Sequence, residues 1–335
     1  MSATSSTQDK GSVVFNAQKI NHSYWDIYLD SRPTYSSAFY DLIYDYHTKA
    51  GNNRWNLAED IGTGPGNAAA VFSKRFDKVH ASDPGDTHVE VAKQRLARDG
   101  IANVTVYKAN GETISQTGIT SPGTADLLTV AEAIPLMDAP KALNSFSEVL
   151  APGGTLAIWF YGRPIFVDPV SQSCATTKAA RCQRIFDEIC IRAYSRIRPM
   201  KGTHWEQTTT RLFSWLDDLE LPESTWGKVQ RRKWNADRPL SFYDEAACDH
   251  AVVTKYQQRD DEERYDVADR SFWSKTWNIE GVKRFIGVLL PQFTEQFAQE
   301  IGTDQYYAEL ERAMGGPDGA MQITWPVVLI LATRK

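Results

Sequence analysis

The sequence has little cysteine, and that cysteine is widely spaced. Four residues are too few for a disulfide scaffold and too far apart for the close pairs of a zinc site, so we expect no metal site and a reducing, cytoplasmic location. The cysteines are Cys174, Cys182, Cys190 and Cys248. The eight-residue spacing of the first three favours one helix face, where a free cysteine fills apolar space.

Excess positive charge is also absent. A formal net charge of −5 gives no global basic field, whereas nucleic-acid binding depends on neutralising phosphates with lysine and arginine. We interpret the one basic cluster, Arg231, Arg232 and Lys233, as part of an exposed strand. Residues 1–11 lack the features of a signal peptide, and no apolar run reaches the roughly 18–20 residues of a membrane helix. Neither nucleic acid nor a membrane is therefore an expected partner.

The N-terminal part is unusually aromatic. With 335 residues, 42% of them hydrophobic, the chain exceeds the roughly 100–200 residues of one domain, so we expect one main domain with an insertion. After a polar, disordered segment at 1–20, aromatic residues recur at helical spacing between 24 and 47, and Pro33 interrupts them. This pattern predicts a helical lid over 21–54, formed by a short helix, a turn and a second helix capped by Ser36 or Ser37.

The middle of the chain alternates short apolar runs with helical stretches over 55–163, which is typical of a βαβ architecture. Strands are predicted at 57–61, 79–82, 104–108, 126–130 and 155–160, and helices at 67–75, 89–97 and 141–150. A mainly helical insertion follows over 164–285, and residues 286–335 supply a helix and the last strand or strands, at 323–332. The predicted fold class is therefore α/β, with a doubly wound, mostly parallel, seven-stranded sheet.

A glycine-rich turn follows the first predicted strand, in the run Glu59 to Gly66. Gly62 and Gly64 permit positive φ and let a ligand approach the backbone at the carboxyl ends of the strands. A dinucleotide fingerprint would need glycine or alanine where this sequence has Asn67, which disfavours a nicotinamide dehydrogenase. The alternative pattern, an acidic residue followed by alternating glycines, is led by Asp60. It suits S-adenosylmethionine, because the ammonium and sulfonium groups of that molecule favour a nearby carboxylate.

Two further strand ends carry polar residues. Asp83 lies 21 residues after Gly62 at the end of the second predicted strand, where a carboxylate can accept both hydroxyls of a ribose. The third strand is followed by Asn110 and Gly111, whose amide groups could hydrogen-bond an adenine ring. The three elements occur in the order that an adenosyl-binding site requires.

These segments resemble the trans-aconitate methyltransferase-like group of class I S-adenosylmethionine-dependent methyltransferases, especially its fungal members. The matching segments, within 24–159, are Tyr28 with Arg32 to Tyr35, Asp60 to Gly66, Asp83, Ala109 to Glu112, Asp126 to Ala133 and Pro152 to Gly154. The resemblance implies a Rossmann-like methyltransferase fold, S-adenosylmethionine as cofactor and S-adenosylhomocysteine as product. It further implies that Tyr28 and Arg32 hold the methionine carboxylate under the lid, and that residues after the fourth strand border the sulfonium. The residues assigned to the cofactor are Tyr28, Arg32, Asp60, Gly62, Thr63, Gly64, Asp83, Pro84, Asn110, Gly111 and Ala131.

The acceptor is less well defined. Pro135, Leu136 and Met137 stand where the group commonly has His-Trp-Phe, so the group's acceptor is not carried over. A carboxylate acceptor would arrive ionised, whereas a hydroxyl would benefit from a base, for which His204 and Glu132 are the candidates. Aromatic faces suit a flat acceptor and attract a sulfonium. The predicted acceptor-lining residues are Trp25, Tyr35, Pro135, Trp159 and Tyr161.

The sequence thus predicts an enzyme, a monomer or homodimer, that methylates a carboxylate or hydroxyl oxygen of a small organic molecule. Two alternatives remain open. One is a protein of the same fold that binds S-adenosylmethionine but catalyses a cyclisation, elimination or rearrangement. The other is a non-catalytic regulator that binds a partner protein.

Overall fold

The computed structural model describes residues 22–168, 177–195, 201–236, 250–289 and 293–335. The predicted polar segment at 1–20 lies outside these residues, as do Cys174 and Cys248. Within the described ranges, no helix combines the length and the apolar character needed to cross a membrane.

Two helices precede the sheet, α1 (His22–Ser31) and α2 (Ser37–Lys49). The hydroxyl of Ser36 accepts a hydrogen bond from the amide of Phe39 at 3.2 Å and so caps α2. The predicted break at Pro33 and the predicted cap are confirmed. The backbone carbonyl of Arg32 accepts a hydrogen bond from Lys275 Nζ at 2.7 Å, which ties the end of α1 to a distant part of the chain.

Among the residues that the structure describes, the main sheet has eight strands in the order β3-β2-β1-β4-β5-β11-β7-β8. These strands are β1 (Leu57–Ile61), β2 (Lys78–Asp83), β3 (Val104–Lys108), β4 (Ala125–Ala131), β5 (Leu150–Tyr161), β7 (Trp226–Trp234), β8 (Glu263–Val267) and β11 (Val327–Arg334). Strand β11 is antiparallel to β5 and β7, and the other neighbouring pairs are parallel. The mostly parallel α/β fold is confirmed, but the sheet has eight strands rather than the predicted seven.

Helices cover both faces of this sheet. They are α3 (Asn67–Phe72), α4 (Asp86–Arg98), α5 (Ala139–Val149), α6 (Lys178–Tyr194), α7 (His204–Phe213), α8 (Ile279–Gly287), α9 (Glu295–Glu300) and α10 (Thr303–Met314), in addition to α1 and α2. Phe39 of α2 and Phe72 of α3 belong to one buried cluster, and Phe146 of α5 belongs to another. Trp159 and Phe160 of β5 point into different clusters, as alternation along a strand requires.

The chain changes direction across the sheet between β1 and β4. From β1 it builds outward through β2 to β3, and then returns to place β4 on the other side of β1. Loops after β1 and β4 therefore diverge and leave a crevice between them, which is where open α/β sheets bind their ligands. The topology positions the glycine turn on one side of this crevice and Glu132 on the other.

The insertion contains strands that the sequence analysis had not predicted. Besides β7 and β8, it contributes β6 (Ile165–Val167) and β9 (Ser274–Trp277), which pair with β10 (Met321–Thr324) in a second, three-stranded sheet. The predicted last strand is therefore two strands in different sheets. They are separated at Pro326, which has no backbone N–H to continue a ladder.

The basic cluster lies on β7 as predicted, but Arg231 is not exposed. Its side chain is 1% exposed and pairs with Glu262 at 2.6 Å. Lys233, on the same strand as Arg231, pairs with Asp217 at 2.5 Å. These contacts make the cluster a structural ion-pair network between the insertion and the sheet. Cys182 and Cys190 are free and buried on α6, in keeping with an apolar filling role.

Candidate functional site

A cavity of about 220 Å³ opens at the carboxyl ends of the parallel strands, beneath α1. Most of the predicted site residues line it: Trp25, Tyr28, Tyr35, Asp60, Gly62, Thr63, Gly64, Asp83, Pro84, Asn110, Gly111, Ala131 and Glu132. Residues from the lid, the ends of β1 and β2, the segment after β3 and the segment after β4 thus converge on one space. Among the described residues, no group of three or more His, Cys, Asp or Glu could hold a metal ion.

The glycine turn forms the floor of the cavity and uses its glycines in two ways. Gly62 has φ +68°, and a Cβ there would lie 2.4 Å from the Cβ of Ala133, so no side chain fits. Gly64 has φ +52°, but a Cβ there would meet nothing within 4 Å. Gly62 is therefore required by packing, whereas Gly64 keeps cavity space clear for a ligand.

Asp60, at the strand end before this turn, is held by two hydroxyl groups. Thr63 Oγ1 and Thr129 Oγ1 each donate a hydrogen bond to its carboxylate at 2.7 Å. Burial raises the pKa of Asp60 to about 6, although these two hydrogen bonds oppose the rise. A cation placed beside Asp60 in the cavity would stabilise the ionised carboxylate.

Asp83 joins three parts of the site. Its Oδ2 accepts a hydrogen bond from the amide of Gly64 at 3.0 Å, and its Oδ1 accepts one from the amide of Gly85 at 2.9 Å. The ring Nδ1 of His88 also lies 2.8 Å from Oδ1. Gly85 is the N-cap residue of α4 and has no side chain of its own, and its amide is the one that donates to Asp83 at the start of this helix. The Asp83 carboxylate thus bridges the glycine turn and the first turn of α4.

Gly111 and Asn110 border the cavity after β3. A Cβ on Gly111 would lie 2.8 Å from Met137 Sδ and 3.1 Å from Ile61 Cγ2, so a side chain here would have to displace the end of the Met137 side chain. Asn110 is exposed, and its side chain makes no cap hydrogen bond to the short 3₁₀ helix that follows. A flat ring lying between Asn110 and the glycine turn would meet backbone rather than side chains at Gly111.

Glu132, directly after β4, has an unusual conformation for a glutamate. Its φ is +62°, a left-handed value that costs a non-glycine residue about 1–2 kcal/mol. The backbone is fixed by the Glu132 amide, which donates to the carbonyl of Trp159 at 2.9 Å. The side chain is fixed by the amide of Tyr161, which donates to Glu132 Oε1 at 2.5 Å. Residues held in such conformations concentrate at functional sites.

The charge state of Glu132 is shifted as well. Burial raises the pKa of its carboxyl group to about 8, although the Tyr161 amide and the charges of Arg32 and Arg163 lower it. This value lies close to physiological pH, where a group can both gain and lose a proton readily. Glu132 is therefore a carboxyl group on the cavity wall that is suited to proton transfer.

Aromatic residues form the lid side of the cavity. Tyr35 stacks on Trp273 of the insertion, with ring centroids 4.8 Å apart and an interplanar angle of 21°. Trp25 and Tyr28 meet edge to face at 5.2 Å, and Trp25 also meets the ring of His88 at 5.0 Å. The lid is thus fixed by ring packing on both the insertion and α4.

Several predicted residues lie away from the cavity. Trp159 is fully buried and Tyr161 nearly so, because Tyr35 and Phe39 pack over Trp159 at 5.7 and 5.5 Å. Arg32 is buried behind the cavity wall, where its Nη2 donates to the carbonyl of Val288 at 3.2 Å. These side chains support the cavity wall without lining it.

Pro135 lies within the short 3₁₀ helix Ile134–Leu136, and His204 belongs to the helix α7 that packs against it. Pro135 is buried, and its carbonyl accepts a hydrogen bond from Thr208 Oγ1 at 2.9 Å. His204 begins α7 and lines an outer cleft with Asp138, not the inner cavity. The structure therefore brings Glu132, and not His204, to the site.

Further residues line the cavity that were not predicted to do so, some within the matching segments and others just outside them. They are Pro65, Asn67, Ala68, Gly85, His88, Glu112, Ala133, Leu136 and Met137. His88 is the most notable of these, because it is 8% exposed and contacts Asp83. Its signal in the sequence is a histidine three residues after the Pro84-Gly85 turn, just before the helix that we predicted to begin at residue 89.

Comparison with known proteins points to one family. A family profile described as a methyltransferase domain matches residues 59–154. The chain is 40% identical over 333 residues to Methyltransferase cfoB of Aspergillus candidus, which covers 99% of each chain. It is also 40% identical to Methyltransferase pgmE of Aspergillus terreus, over the full length of both chains. A solved structure described as a type II methyltransferase of Anaeromyxobacter dehalogenans has a TM-score of 0.53 and 18% identity, covering 90% of this chain and 97% of that chain, which supports the fold.

Proposed function

Because the chain belongs to the class I S-adenosylmethionine-dependent methyltransferases, we propose that it transfers a methyl group to a hydroxyl oxygen of a small organic acceptor. When bound, S-adenosylmethionine supplies an electrophilic methyl group. The tasks left to this chain are to hold the cofactor, to orient the acceptor oxygen in line with the methyl group and to take up the acceptor's proton.

The residues of the cavity fit this cofactor. Gly64 leaves space for a ligand against the backbone, and the carboxylate of Asp60 suits a cationic group beside the turn. We assign Asp83 to the ribose hydroxyls, because its two oxygens are already oriented by Gly64 and Gly85 and it borders the cavity. Asn110 and Gly111 are assigned to the adenine ring.

Glu132 is the observation that carries the choice of a hydroxyl acceptor. A hydroxyl must lose its proton as its oxygen is methylated, and a nearby base with a pKa near the working pH assists that loss. Glu132 lies on the cavity wall, and burial raises the pKa of its carboxyl group to about 8. An acidic hydroxyl, such as a phenol or an enol, is the acceptor that such a base serves best.

A carboxylate acceptor is a poorer match for the same wall. It would arrive without a proton to give, and its charge would be repelled by Glu132 whenever that group is ionised. The aromatic rings of Trp25, Tyr28 and Tyr35 along the cavity also favour a flat, largely apolar molecule. Together these features support a phenolic or enolic acceptor.

The test is a screen of small molecules with S-adenosylmethionine labelled in its methyl group. Phenols, enols, carboxylic acids and amines of matched size are incubated with the full chain, and products are analysed by mass spectrometry. The proposal expects label on a phenolic or enolic oxygen, with one S-adenosylhomocysteine formed per methylated product. Label found only on carboxylates or amines, or an isomerised product with unchanged cofactor, would contradict it.

A further inference from the structure

His88 contacts the carboxylate of Asp83, the residue that we assign to the ribose hydroxyls. It lies in the first turn of α4 and borders the cavity, with its ring Nδ1 2.8 Å from Asp83 Oδ1. A carboxylate only accepts hydrogen bonds, so Nδ1 must carry the proton that is shared in this contact. The protonated Nδ1 fixes the orientation of the Asp83 carboxylate and leaves Asp83 Oδ2 directed to the Gly64 amide and the cavity.

The other side of the histidine ring faces the lid. The ring meets Trp25 of α1 edge to face at 5.0 Å and 87°. His88 Nε2 and Trp25 Nε1 are both buried, and neither has a hydrogen-bond partner among the described residues. His88 is more than nine-tenths buried, with Nδ1 on the Asp83 carboxylate and Nε2 buried without a hydrogen-bond partner among the described residues.

From this arrangement we infer that His88 is a positioning residue for the cofactor's ribose. It holds the Asp83 carboxylate in the orientation that accepts the ribose hydroxyls, and its ring joins that carboxylate to Trp25 of the lid. The inference rests on the proposed assignment of Asp83 to the ribose, and it adds a residue outside the glycine turn to the cofactor site. Its effect should be confined to the part of the affinity that comes from the ribose hydroxyls.

Two substitutions separate hydrogen bonding from ring packing. His88→Phe keeps a ring against Trp25 but has no donor for Asp83, whereas His88→Asn keeps an N–H near the position of Nδ1 but has no ring. Calorimetry with the full chain would measure affinity for S-adenosylhomocysteine and for its 2′-deoxy and 3′-deoxy analogues. Thermal unfolding of each variant would report whether it is folded.

We expect the two substitutions to differ in their effect on the discrimination between S-adenosylhomocysteine and its deoxy analogues. His88→Phe should weaken binding of S-adenosylhomocysteine by about tenfold, while its affinity for the more weakly bound deoxy analogue changes by less than about twofold. His88→Asn should keep discrimination against the deoxy analogue within about threefold of the original chain, even if its melting temperature falls. If His88→Phe does not fold, the result for His88→Asn still decides the matter.

Four outcomes would overturn the inference. If His88→Phe binds all three ligands more weakly by the same factor, His88 has a general structural role. If His88→Asn no longer discriminates against the deoxy analogues, the packing of the ring is what matters. Absence of discrimination in the original chain would remove the ribose assignment of Asp83 and the inference with it. By contrast, the original chain and His88→Phe could discriminate equally between S-adenosylhomocysteine and its deoxy analogues. That result would contradict the role of His88 alone and would not affect the proposed function.

Discussion

The two sides of the cavity are built by different physical means. The side that we propose binds the cofactor consists of backbone turns and hydrogen bonds, such as that from the Gly64 amide to Asp83 at 3.0 Å. The side that we propose binds the acceptor is built from side chains that meet across the fold, such as Tyr35 on Trp273 at 4.8 Å, and from Glu132 held by the amide of Tyr161. It follows that substitutions on the first side can alter ligand affinity with little effect on the hydrophobic core. Changes on the second side affect reaction or packing.

The largest expected effect comes from the acceptor side. Glu132→Gln should lower kcat/KM by about 100- to 10,000-fold, the range for general acid–base catalysis, while cofactor affinity stays close to that of the original chain. Because burial raises the pKa of Glu132 to about 8 and the base must be ionised to take a proton, kcat/KM of the original chain should rise as pH increases through about 8. The pH profile should lose this rise in Glu132→Gln.

His204→Gln is the matched control for this prediction, because His204 lines the outer cleft. It should retain both the rate and the rise with pH. A strong loss of activity in His204→Gln together with a normal Glu132→Gln variant would reverse the assignment of the base.

The second effect concerns the cofactor side. Gly64→Val should weaken S-adenosylmethionine binding by roughly 100-fold or more, about 2.7 kcal/mol, because its side chain would enter the cavity. Gly100→Val is a suitable control, since Gly100 also has a positive φ, +71°, and nothing within 4 Å of a Cβ, but lies outside the cavity. Both variants carry similar backbone strain, so calorimetry should separate them while thermal unfolding should not. Equal affinities would mean that the turn does not border the cofactor.

A somewhat smaller effect is expected at the end of β2. Asp83→Ala should weaken cofactor binding by about 1.5–3 kcal/mol, the range for hydrogen bonds to charged groups. Asp86→Ala, three residues along and paired at the surface with Lys108 at 2.8 Å, should change affinity by less than about twofold. Indistinguishable affinities for the two variants would remove Asp83 from the cofactor site.

The smallest effects are expected at two aromatic residues, Trp159 and Tyr35, which were both predicted to line the acceptor site. Trp159→Phe should lower the free energy of unfolding by about 1–3 kcal/mol without altering the KM of the acceptor, because Trp159 is fully buried. Tyr35→Phe should raise the KM of the acceptor a few-fold, about 0.5–1.5 kcal/mol, because Tyr35 lines the cavity. Denaturant unfolding and steady-state kinetics would check the pair, and a KM effect confined to Trp159→Phe would contradict the described wall.

The residues around the glycine turn that line the cavity could be predicted because the elements that carry them are local. Strands β1 to β5 each contain apolar residues and are separated by turn residues, and the glycine turn has a characteristic spacing. Strand β8 was missed because every one of its residues is exposed, so it lacks the apolar signal of an inner strand. For β7 only an exposed strand at the charged run around Arg231 was predicted, because that run does not indicate a strand inside the main sheet. Which aromatic residues line the cavity could not be predicted, because the burial of Trp159 depends on Tyr35 and Phe39, more than a hundred residues earlier in the chain.

His88 illustrates the same limit at short range. Its contact with Asp83 depends on where α4 begins, and helix ends are the least certain part of a sequence-based assignment. The predicted helix begins at residue 89, three residues after the observed start at Asp86, and so leaves out the histidine.

The most direct test of the account is a crystal structure of the chain with bound S-adenosylhomocysteine. We expect the ribose hydroxyls to hydrogen-bond to Asp83 and the homocysteine sulfur to lie between the glycine turn and Glu132. We also expect His88 Nδ1 to keep its hydrogen bond to the Asp83 carboxylate. Product bound elsewhere, or a cavity in which Glu132 faces away from the sulfur, would contradict it.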